Sequence, residues 1–183
     1  MITRMDRIEG PNLILRLIQP EDAEYVHGLR TDPIYNAHLS FVTGIVADQR
    51  RWIEEYKARE AEGREYYYVI ERGDNATRCG VVRLYDVDTD HFTWGSWILD
   101  ANKPAKAALE SAILSFGAGF SLPGMAYALV DVRRANTHAT AFYRRFGMEK
   151  VGENDQDIFF TYSRETFFRD CPAHLAVLNG AAA

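Results

Sequence analysis

Two residues that could take part in chemistry lie seven positions apart in the segment NTHATAFYRRFG, which begins at Asn136. Seven residues correspond to about two helical turns, so Asn136 and Tyr143 would share one face of a helix. Only the small residues Ala139 and Thr140 lie between them on that face. Gly147 is typical of the left-handed position at which helices end. The spacing therefore predicts a short helix with a shallow polar groove along one side.

The two side chains suit proton donation and amide recognition. A tyrosine hydroxyl has an ordinary pKa of about 10, so Tyr143 would be protonated at neutral pH and able to act as a general acid. Asn136 offers both a hydrogen-bond donor and an acceptor, which suits a ligand rich in amides. Structural alternatives stay open, because an asparagine before a helix is often only its N-cap and a helical tyrosine is often a packing residue.

The composition restricts the class of protein. The chain has 183 residues, of which 47% are hydrophobic and 26% are charged, as in an ordinary globular protein. Its net charge of −5 argues against a nucleic-acid partner. Cys79 and Cys171 lack the spacing of metal ligands, so we expect no metal site. Two isolated cysteines also indicate a reducing compartment. No run of about 18 apolar residues predicts a membrane span. We therefore expect one soluble, cytoplasmic domain.

Hydrophobic periodicity and turn residues predict alternating strands and helices. The expected elements, in chain order, are a strand at 13–18, a helix after Pro20, a helix at 47–62, a hairpin around Gly73, a strand over HFTWGSWIL, a helix from about 104 to 117, a strand at 127–132, the helix that begins at Asn136, and strands at 149–153 and 158–163. Hairpins combined with one helical crossover predict a mixed α+β sheet.

This order and the segment VDVRRANTHATAFYRRFGMEKVG resemble the GCN5-related N-acetyltransferase (GNAT) family, which uses acetyl-CoA. The resemblance covers about residues 10–163 as one domain and leaves 164–183 as a tail, in which we expect one or two helical turns followed by small, frayed residues. It implies an α+β fold with a mostly antiparallel sheet of six to seven strands and flanking helices. It also implies that two central parallel strands, Thr93–Leu99 and Tyr127–Val132, splay apart around the cofactor, assisted by a bulge for which Gly95 is the expected site.

The resemblance implies cofactor-binding residues at the end of the first splayed strand and at the turn that follows. Acetyl-CoA would be the co-substrate, and its contacts would come from Trp97, Ile98, Leu99, Lys103, Lys106, Ala107, Ala108, Asn136 and Tyr143. The turn reads KPAKAA, whereas the family usually has a glycine where Lys106 stands. A lysine there could obstruct the close approach of phosphate to the backbone, or it could compensate together with Lys103 by attracting the pyrophosphate as a point charge.

In the same family reading, Tyr143 would protonate the departing thiolate and a second group would remove a proton from the amine. Asp131 is the expected general base, and His91 is an alternative that also belongs to the expected acceptor-binding set. The loop after the first helix adds Tyr35, His38 and Phe41 to that set. The acidic run between the last two strands could attract a cationic or hydroxylated acceptor.

Three functions remain open at this point. The first is acetyl transfer to a small-molecule amine, for example the amino group of a nucleotide-linked sugar. The second is acetylation of protein N-termini, as in enzymes that modify ribosomal proteins. The third is a non-catalytic binding module that has kept the fold but lost its pyrophosphate turn. An exposed sheet edge would also permit a homodimer, which is an expectation from the fold alone.

Overall fold

The computed structural model describes residues 5–180. Its elements, in chain order, are β1 (Arg7–Glu9), β2 (Leu13–Leu17), a 3-10 turn (Pro20–Asp22), α1 (Ala23–Thr31), α2 (Pro33–Asn36), α3 (Val46–Ala61), β3 (Tyr66–Arg72), β4 (Arg78–Tyr85), β5 (His91–Leu99), α4 (Ala107–Ser121), β6 (Tyr127–Arg133), α5 (Thr137–Phe146), β7 (Glu149–Glu153), β8 (Asp157–Ser163) and α6 (Arg164–Leu178).

All the strands belong to one sheet with the order β1-β2-β3-β4-β5-β6-β8-β7. The pair β5 and β6 is parallel, and the other neighbouring pairs are antiparallel. The mixed, mostly antiparallel α+β fold expected from the sequence is therefore confirmed. Within residues 5–180 the sheet has eight strands where six to seven were expected, because Arg7–Glu9 pairs with β2 and adds an edge strand.

The sheet carries helices on both faces because strand side chains alternate between them. In β3, Tyr68 and Ile70 belong to the core shared with α4, α5 and α6, whereas Tyr67 and Val69 belong to the core shared with α1 and α3. The helices α1 and α3 therefore cover one face of the N-terminal strands. The other three long helices cover the opposite face.

The C-terminal tail is more helical than the one or two turns expected, because residues 164–178 form the 15-residue helix α6. Its Phe167 and Leu178 are buried in the core beside α4, and His174 stacks on Phe146 with ring centroids 4.4 Å apart. Pro172 lies inside this helix, so tertiary packing outweighs the local cost of a proline there. None of the helices within residues 5–180 is both long and apolar enough to cross a membrane.

Two local features near the middle of the chain differ from the sequence expectation. The bulge in β5 consists of Ser96 and Trp97, which together oppose Val82, so it lies just after Gly95 rather than at it. Ser96 has a φ of +48°. The helix α4 begins at Ala107 rather than near 104, because Lys106 has a left-handed φ of +60° and ends the preceding turn.

Candidate active site

A groove opens where the two parallel strands separate. The strands β5 and β6 pair only from His91 with Tyr127 to Thr93 with Leu129. Beyond Thr93, β5 keeps its pairing with β4 through the Ser96 and Trp97 bulge. Its other edge has no strand partner in the part of the chain that the structure describes. The backbone groups on that edge are therefore free of strand pairing, and the space beside them can receive a ligand.

The helix α5 forms one wall of this groove, and its ends follow the local signals in the sequence. The side-chain oxygen of Asn136 accepts a hydrogen bond of 3.1 Å from the backbone N–H of Ala139, so Asn136 is the N-cap. Gly147 ends the helix with a φ of +102°, and the backbone N–H of Met148 donates to the carbonyl oxygen of Tyr143. The structural role predicted for Asn136 is confirmed, and its cap position also places it at the mouth of the groove.

The groove itself, called the α5 groove below, has a volume of about 280 Å³. It is lined by Trp97, Leu99, Lys103, Ala108, Asn136, His138, Ala139 and Phe142. The indole N–H of Trp97 donates a 3.1 Å hydrogen bond to the hydroxyl of Ser111 in α4, which fixes the ring against the groove. Apolar walls with one lysine suit an extended, largely uncharged chain that ends in an anionic group.

A second space, called the Asp131 cavity below, adjoins the α5 groove. Its volume is about 170 Å³, and Trp97 and Asn136 line both spaces. The Asp131 cavity is lined by Arg30, His38, Leu39, Ser40, Tyr85, Gly95, Ser96, Trp97, Asp131, Val132, Arg133, Asn136, Tyr143 and Asp157. Charged and hydroxyl-bearing side chains dominate this wall, in contrast to the apolar α5 groove. The two spaces together can hold an extended donor on one side and a polar acceptor on the other.

Tyr143 lines the Asp131 cavity but not the α5 groove, and only 6% of its surface is exposed. Its ring centroid lies 6.3 Å from that of Trp97, which lines both spaces. Its ring stands edge-on to Trp94 and to Phe160, with centroids 5.9 Å and 5.7 Å away. Burial, followed by the negative charge of Asp131, raises the pKa of Tyr143 well above its ordinary value. The hydroxyl therefore stays protonated across the neutral range, as a general acid requires.

Asp131 lines the Asp131 cavity from the end of β6. Desolvation and then the nearby carboxylate of Asp157 raise the pKa of Asp131, and Arg133 opposes that rise. Arg133 is held by Asp157 through a 3.0 Å ion pair. A carboxylate with a raised pKa is a better proton acceptor than an ordinary aspartate, so this environment fits a general base.

Tyr85 provides a further titratable group of the same cavity. Burial and then the charge of Asp131 raise the pKa of Tyr85 to about 12. The guanidinium of Arg83 lies 4.5 Å from the centroid of its ring. The sequence did not identify Tyr85, Ser96 or Arg133, because they reach the cavity through strand register and the β5 bulge. The acidic run before β8 was the one signal that pointed toward Asp157.

The KPAKAA turn directs its two lysines in different directions. Lys103 lines the α5 groove. Lys106 instead donates a 2.6 Å hydrogen bond from its ammonium to the carbonyl oxygen of Val177, in the last turn of α6. The structure therefore brings Lys103 to the groove and draws the side chain of Lys106 away from it.

Some of the other residues predicted to bind the cofactor line the α5 groove, and the rest are buried in the core. Trp97, Leu99, Ala108 and Asn136 line the α5 groove. The side chain of Ile98 is buried instead in the core beneath α1 and α3, and that of Ala107 in the core beneath α4. The groove also includes His138 and Phe142, which the sequence reading left out.

Of the four predicted acceptor residues, only His38 lines the Asp131 cavity. The hydroxyl of Tyr35 accepts a 3.1 Å hydrogen bond from the backbone N–H of Ala101 and so ties the loop to the end of β5. Phe41 lines a separate cavity beside α3. His91 stacks on Tyr127 at the paired end of β5 and contacts Asp90, away from both spaces. His91 is therefore not placed to act as the general base.

Comparisons with known proteins agree with this geometry. Residues 12–149 match the model of an acetyltransferase (GNAT) domain. The solved structure of apo FdhC, a nucleotide-linked sugar GNAT, is 34% identical with a TM-score of 0.85, and the match covers 92% of this chain and 96% of that chain. No curated protein sequence matches the chain.

More distant solved structures share the fold. Mycobacterium smegmatis RimJ in complex with CoA-disulfide has a TM-score of 0.75 at 18% identity, covering 92% of this chain and 94% of its own. Vibrio cholerae spermidine N-acetyltransferase, in complex with CoA and spermine, has a TM-score of 0.74 at 15% identity, covering 87% and 99%. The chain belongs to the GNAT acetyltransferase family and is a GNAT-type N-acetyltransferase.

Proposed function

We propose that this protein transfers an acetyl group from acetyl-CoA to the amino group of a nucleotide-linked sugar. The observation that carries the proposal is that two unlike spaces share Trp97 and Asn136, with the Tyr143 side chain in the wall of the Asp131 cavity beside Trp97. The lining of the α5 groove is largely apolar, whereas the lining of the Asp131 cavity is polar and charged. A thioester donor and a hydroxylated amine acceptor differ in the same way.

The α5 groove fits the donor by the chemistry of its lining. Trp97, Leu99 and Phe142 offer apolar contact, and the unpaired edge of β5 beside them offers backbone groups to an amide-rich arm. Lys103 and the first turn of α4 supply positive charge and backbone N–H groups, which suit a pyrophosphate. Acetyl-CoA supplies an activated acetyl thioester at this place, and the residues of the chain orient it and manage the protons.

Two residues manage these protons. Tyr143 holds a proton on its hydroxyl and donates it to the sulfur that leaves as the new amide forms. The resulting tyrosinate then takes the excess proton of the amide nitrogen, which restores the hydroxyl. Asp131 accepts a proton from the acceptor ammonium and so exposes the nitrogen lone pair for attack. Tyr143 is protonated at neutral pH, and the raised pKa of Asp131 increases its affinity for a proton.

The nature of the Asp131 cavity supports a sugar as the acceptor. Arg133, Asp157, His38 and Ser40 present both donors and acceptors of hydrogen bonds, which suits a ring with several hydroxyl groups. The similarity to FdhC, a nucleotide-linked sugar GNAT, is consistent with this class of acceptor.

The test is a thioester-consumption assay with acetyl-CoA and three acceptor classes. These are nucleoside-diphosphate-linked amino sugars, polyamines, and peptides with free N-termini. We expect acetylation of an amino-sugar nucleotide, confirmed by a mass increase on the sugar, and loss of that activity in Tyr143→Phe. Turnover confined to the peptides would establish protein N-terminal acetylation instead. Binding of acetyl-CoA without consumption by any amine would favour a non-catalytic module.

A further inference from the structure

A third cavity adjoins the Asp131 cavity on the side of α1 and α3. This space, called the Trp52 cavity below, has a volume of about 300 Å³. It is lined mainly by α1, α3 and the loop that connects α2 to α3. Arg30, in α1, lines both the Trp52 cavity and the Asp131 cavity. A ligand that extends out of the Asp131 cavity past Arg30 would therefore enter the Trp52 cavity.

The side-chain amide of Gln49 is a polar group of the Trp52 cavity without a hydrogen-bond partner in the part of the chain that the structure describes. Only 7% of its surface is exposed, and it lines the cavity from the first part of α3. Within residues 5–180 its side-chain amide makes no hydrogen bond. Solvent reaches the amide atoms of Gln49 through the cavity, and a ligand that pairs with them there gains affinity and specificity. A carboxamide presents a donor beside an acceptor, which complements the imide edge of uracil or thymine.

Arg30 is a charged residue of the Trp52 cavity without an ion-pair partner among the described residues. It is half-buried, and no carboxylate lies in ion-pair distance of it among the described residues. Arg16, Arg59 and Arg133, which are also partly buried, are each paired with an aspartate or glutamate. A guanidinium held between two cavities without a carboxylate suits a bidentate contact with a phosphate group.

The aromatic residues of the Trp52 cavity suit a planar base. Trp52 is fixed by Tyr56, whose ring is nearly parallel to it at 5.8 Å, and by the edge-on ring of Tyr67 at 5.9 Å. Phe41 lies at the cavity with 88% of its surface exposed. A base placed against the Phe41 ring would remove much of that apolar surface from water.

Asp48, the acidic residue of the Trp52 cavity, already has partners within the protein. Asp48 accepts a 3.0 Å hydrogen bond from the backbone N–H of Ile45 and so caps α3. Its other carboxylate oxygen lies 3.4 Å from the guanidinium of Arg51. Its charge is therefore offset by Arg51 and by the positive end of α3, and does not oppose a phosphate at Arg30.

We propose that the Trp52 cavity binds the nucleoside diphosphate of the acceptor, with the base between Phe41 and Gln49 and the diphosphate on Arg30. This inference rests on the proposed function, because it assigns the sugar of the same substrate to the Asp131 cavity. It adds the part of the protein that would recognise the nucleotide. The pyrimidine bases uracil and thymine fit the Gln49 amide through their imide edge.

The first experiment titrates UDP and dTDP into the full chain by calorimetry, with CoA present at saturation so that its own nucleotide site is filled. Arg30→Ala, Gln49→Leu and Phe41→Ala should each weaken binding by about tenfold, the size of one lost charged contact, amide pair or stacked base. Arg50→Ala and Phe168→Ala are the matched controls. Both are exposed, neither lines a cavity described here, and both should bind like the unchanged protein.

Thermal melts of all the variants separate loss of binding from loss of folding, and Gln49→Leu keeps the side-chain volume where Ala would leave a void. Equal affinities in the three test variants and the two controls would overturn the inference, and so would the absence of UDP and dTDP binding at millimolar concentration. If amino-sugar nucleotides are acetylated with an unchanged KM in Gln49→Leu and Phe41→Ala, the proposed function stands and the Trp52 assignment falls. If the three variants lose UDP binding but no sugar nucleotide is acetylated, the site stands and the proposed reaction falls.

Discussion

The ammonium of Lys106 donates to the carbonyl oxygen of Val177, 71 residues further along the chain, at a distance of 2.6 Å. This contact joins the turn before α4 to the C-terminal turn of α6, where the helix dipole favours a positive charge. Lys106 stands where a glycine is usual in the family, and its φ of +60° is in the region that glycine adopts most readily. The lysine side chain therefore serves α6, while Lys103 is the cation that faces the α5 groove.

The first prediction separates these two lysines. Lys103→Ala should weaken CoA binding several-fold, with a smaller loss at high salt because the contact is between exposed charges. Lys106→Ala should leave CoA affinity nearly unchanged and lower the thermal midpoint by on the order of 2 °C, through loss of the contact with α6. Lys106→Gly is the matched control, since it also loses the contact but relieves the positive φ and should melt above Lys106→Ala. Equal losses of CoA affinity in Lys103→Ala and Lys106→Ala would contradict this division.

The second prediction concerns Tyr143. Tyr143→Phe removes only the hydroxyl and keeps the ring that packs against Trp94 and Phe160. The turnover number should fall by about 10²- to 10⁴-fold, which is the usual contribution of a positioned general acid. CoA affinity by calorimetry and the thermal midpoint should stay close to those of the unchanged protein. A variant that turns over at the original rate would show that the thiolate leaves without protonation by Tyr143.

The local chemistry of the site could be predicted from the sequence. The Asn136 cap, the Gly147 end and the shared face of Asn136 and Tyr143 depend on residues within one helix, where short-range rules apply. The splay of β5 and β6 followed from the family resemblance and is present in the structure. These features need no knowledge of how distant segments pack.

The remaining features depend on contacts between distant segments. His91 and Asp131 both belong to the central strands, but His91 lies at their paired end, whereas Asp131 lies beyond the pairing and lines the cavity. The direction of the Lys106 side chain depends on the packing of α6, for which the sequence predicts only one or two helical turns. The pairing of β6 with β8 brings Arg133 and Asp157 into contact. No local sequence pattern predicts this contact.

The third prediction concerns the pH dependence of the general base. Asp131 works when deprotonated, so kcat/KM should fall as the pH drops through the raised pKa of Asp131. Asp157→Asn removes a negative charge that raises this pKa and leaves the positive charge of Arg133 without its partner. Both changes lower the pKa of Asp131, so the acid limb of the profile should move to lower pH. If the acid limb of the kcat/KM profile lies at the same pH in Asp157→Asn, the limb reports the titration of a group other than Asp131.

The fourth prediction concerns the free energy of unfolding at the same residue. Because the pKa of Asp131 is higher in the folded protein than in the unfolded chain, its ionised form opposes folding above that pKa. This cost develops as the pH rises through the ordinary aspartate pKa of about 4 and is complete above the folded pKa. Asp131→Asn should therefore raise the thermal midpoint above that of the unchanged protein at about pH 8 and raise it less near about pH 3.5, while turnover falls strongly. A lower midpoint for Asp131→Asn at both pH values would show that its carboxylate stabilises the fold instead.

The fifth prediction concerns Glu110, which fixes the start of α4 beside the α5 groove. Its carboxylate is fully buried and accepts hydrogen bonds from the backbone N–H groups of Asn12 and Leu13, at 2.7 Å and 2.8 Å, and from the side chain of Asn12. Glu110→Gln replaces one accepting oxygen with a donating NH₂ group, so at least one N–H loses its acceptor. The expected cost is about 1–3 kcal/mol in the free energy of unfolding.

Chemical denaturation measures this cost, and Glu165→Gln is the matched control because Glu165 is exposed in the first turn of α6. The control should change the free energy of unfolding by less than about 0.5 kcal/mol. Since Glu110 ties α4 to β2, its loss should also loosen the turn that carries Lys103 and weaken CoA binding. An unfolding free energy in Glu110→Gln equal to that of Glu165→Gln would mean that the buried carboxylate contributes no more than a surface one.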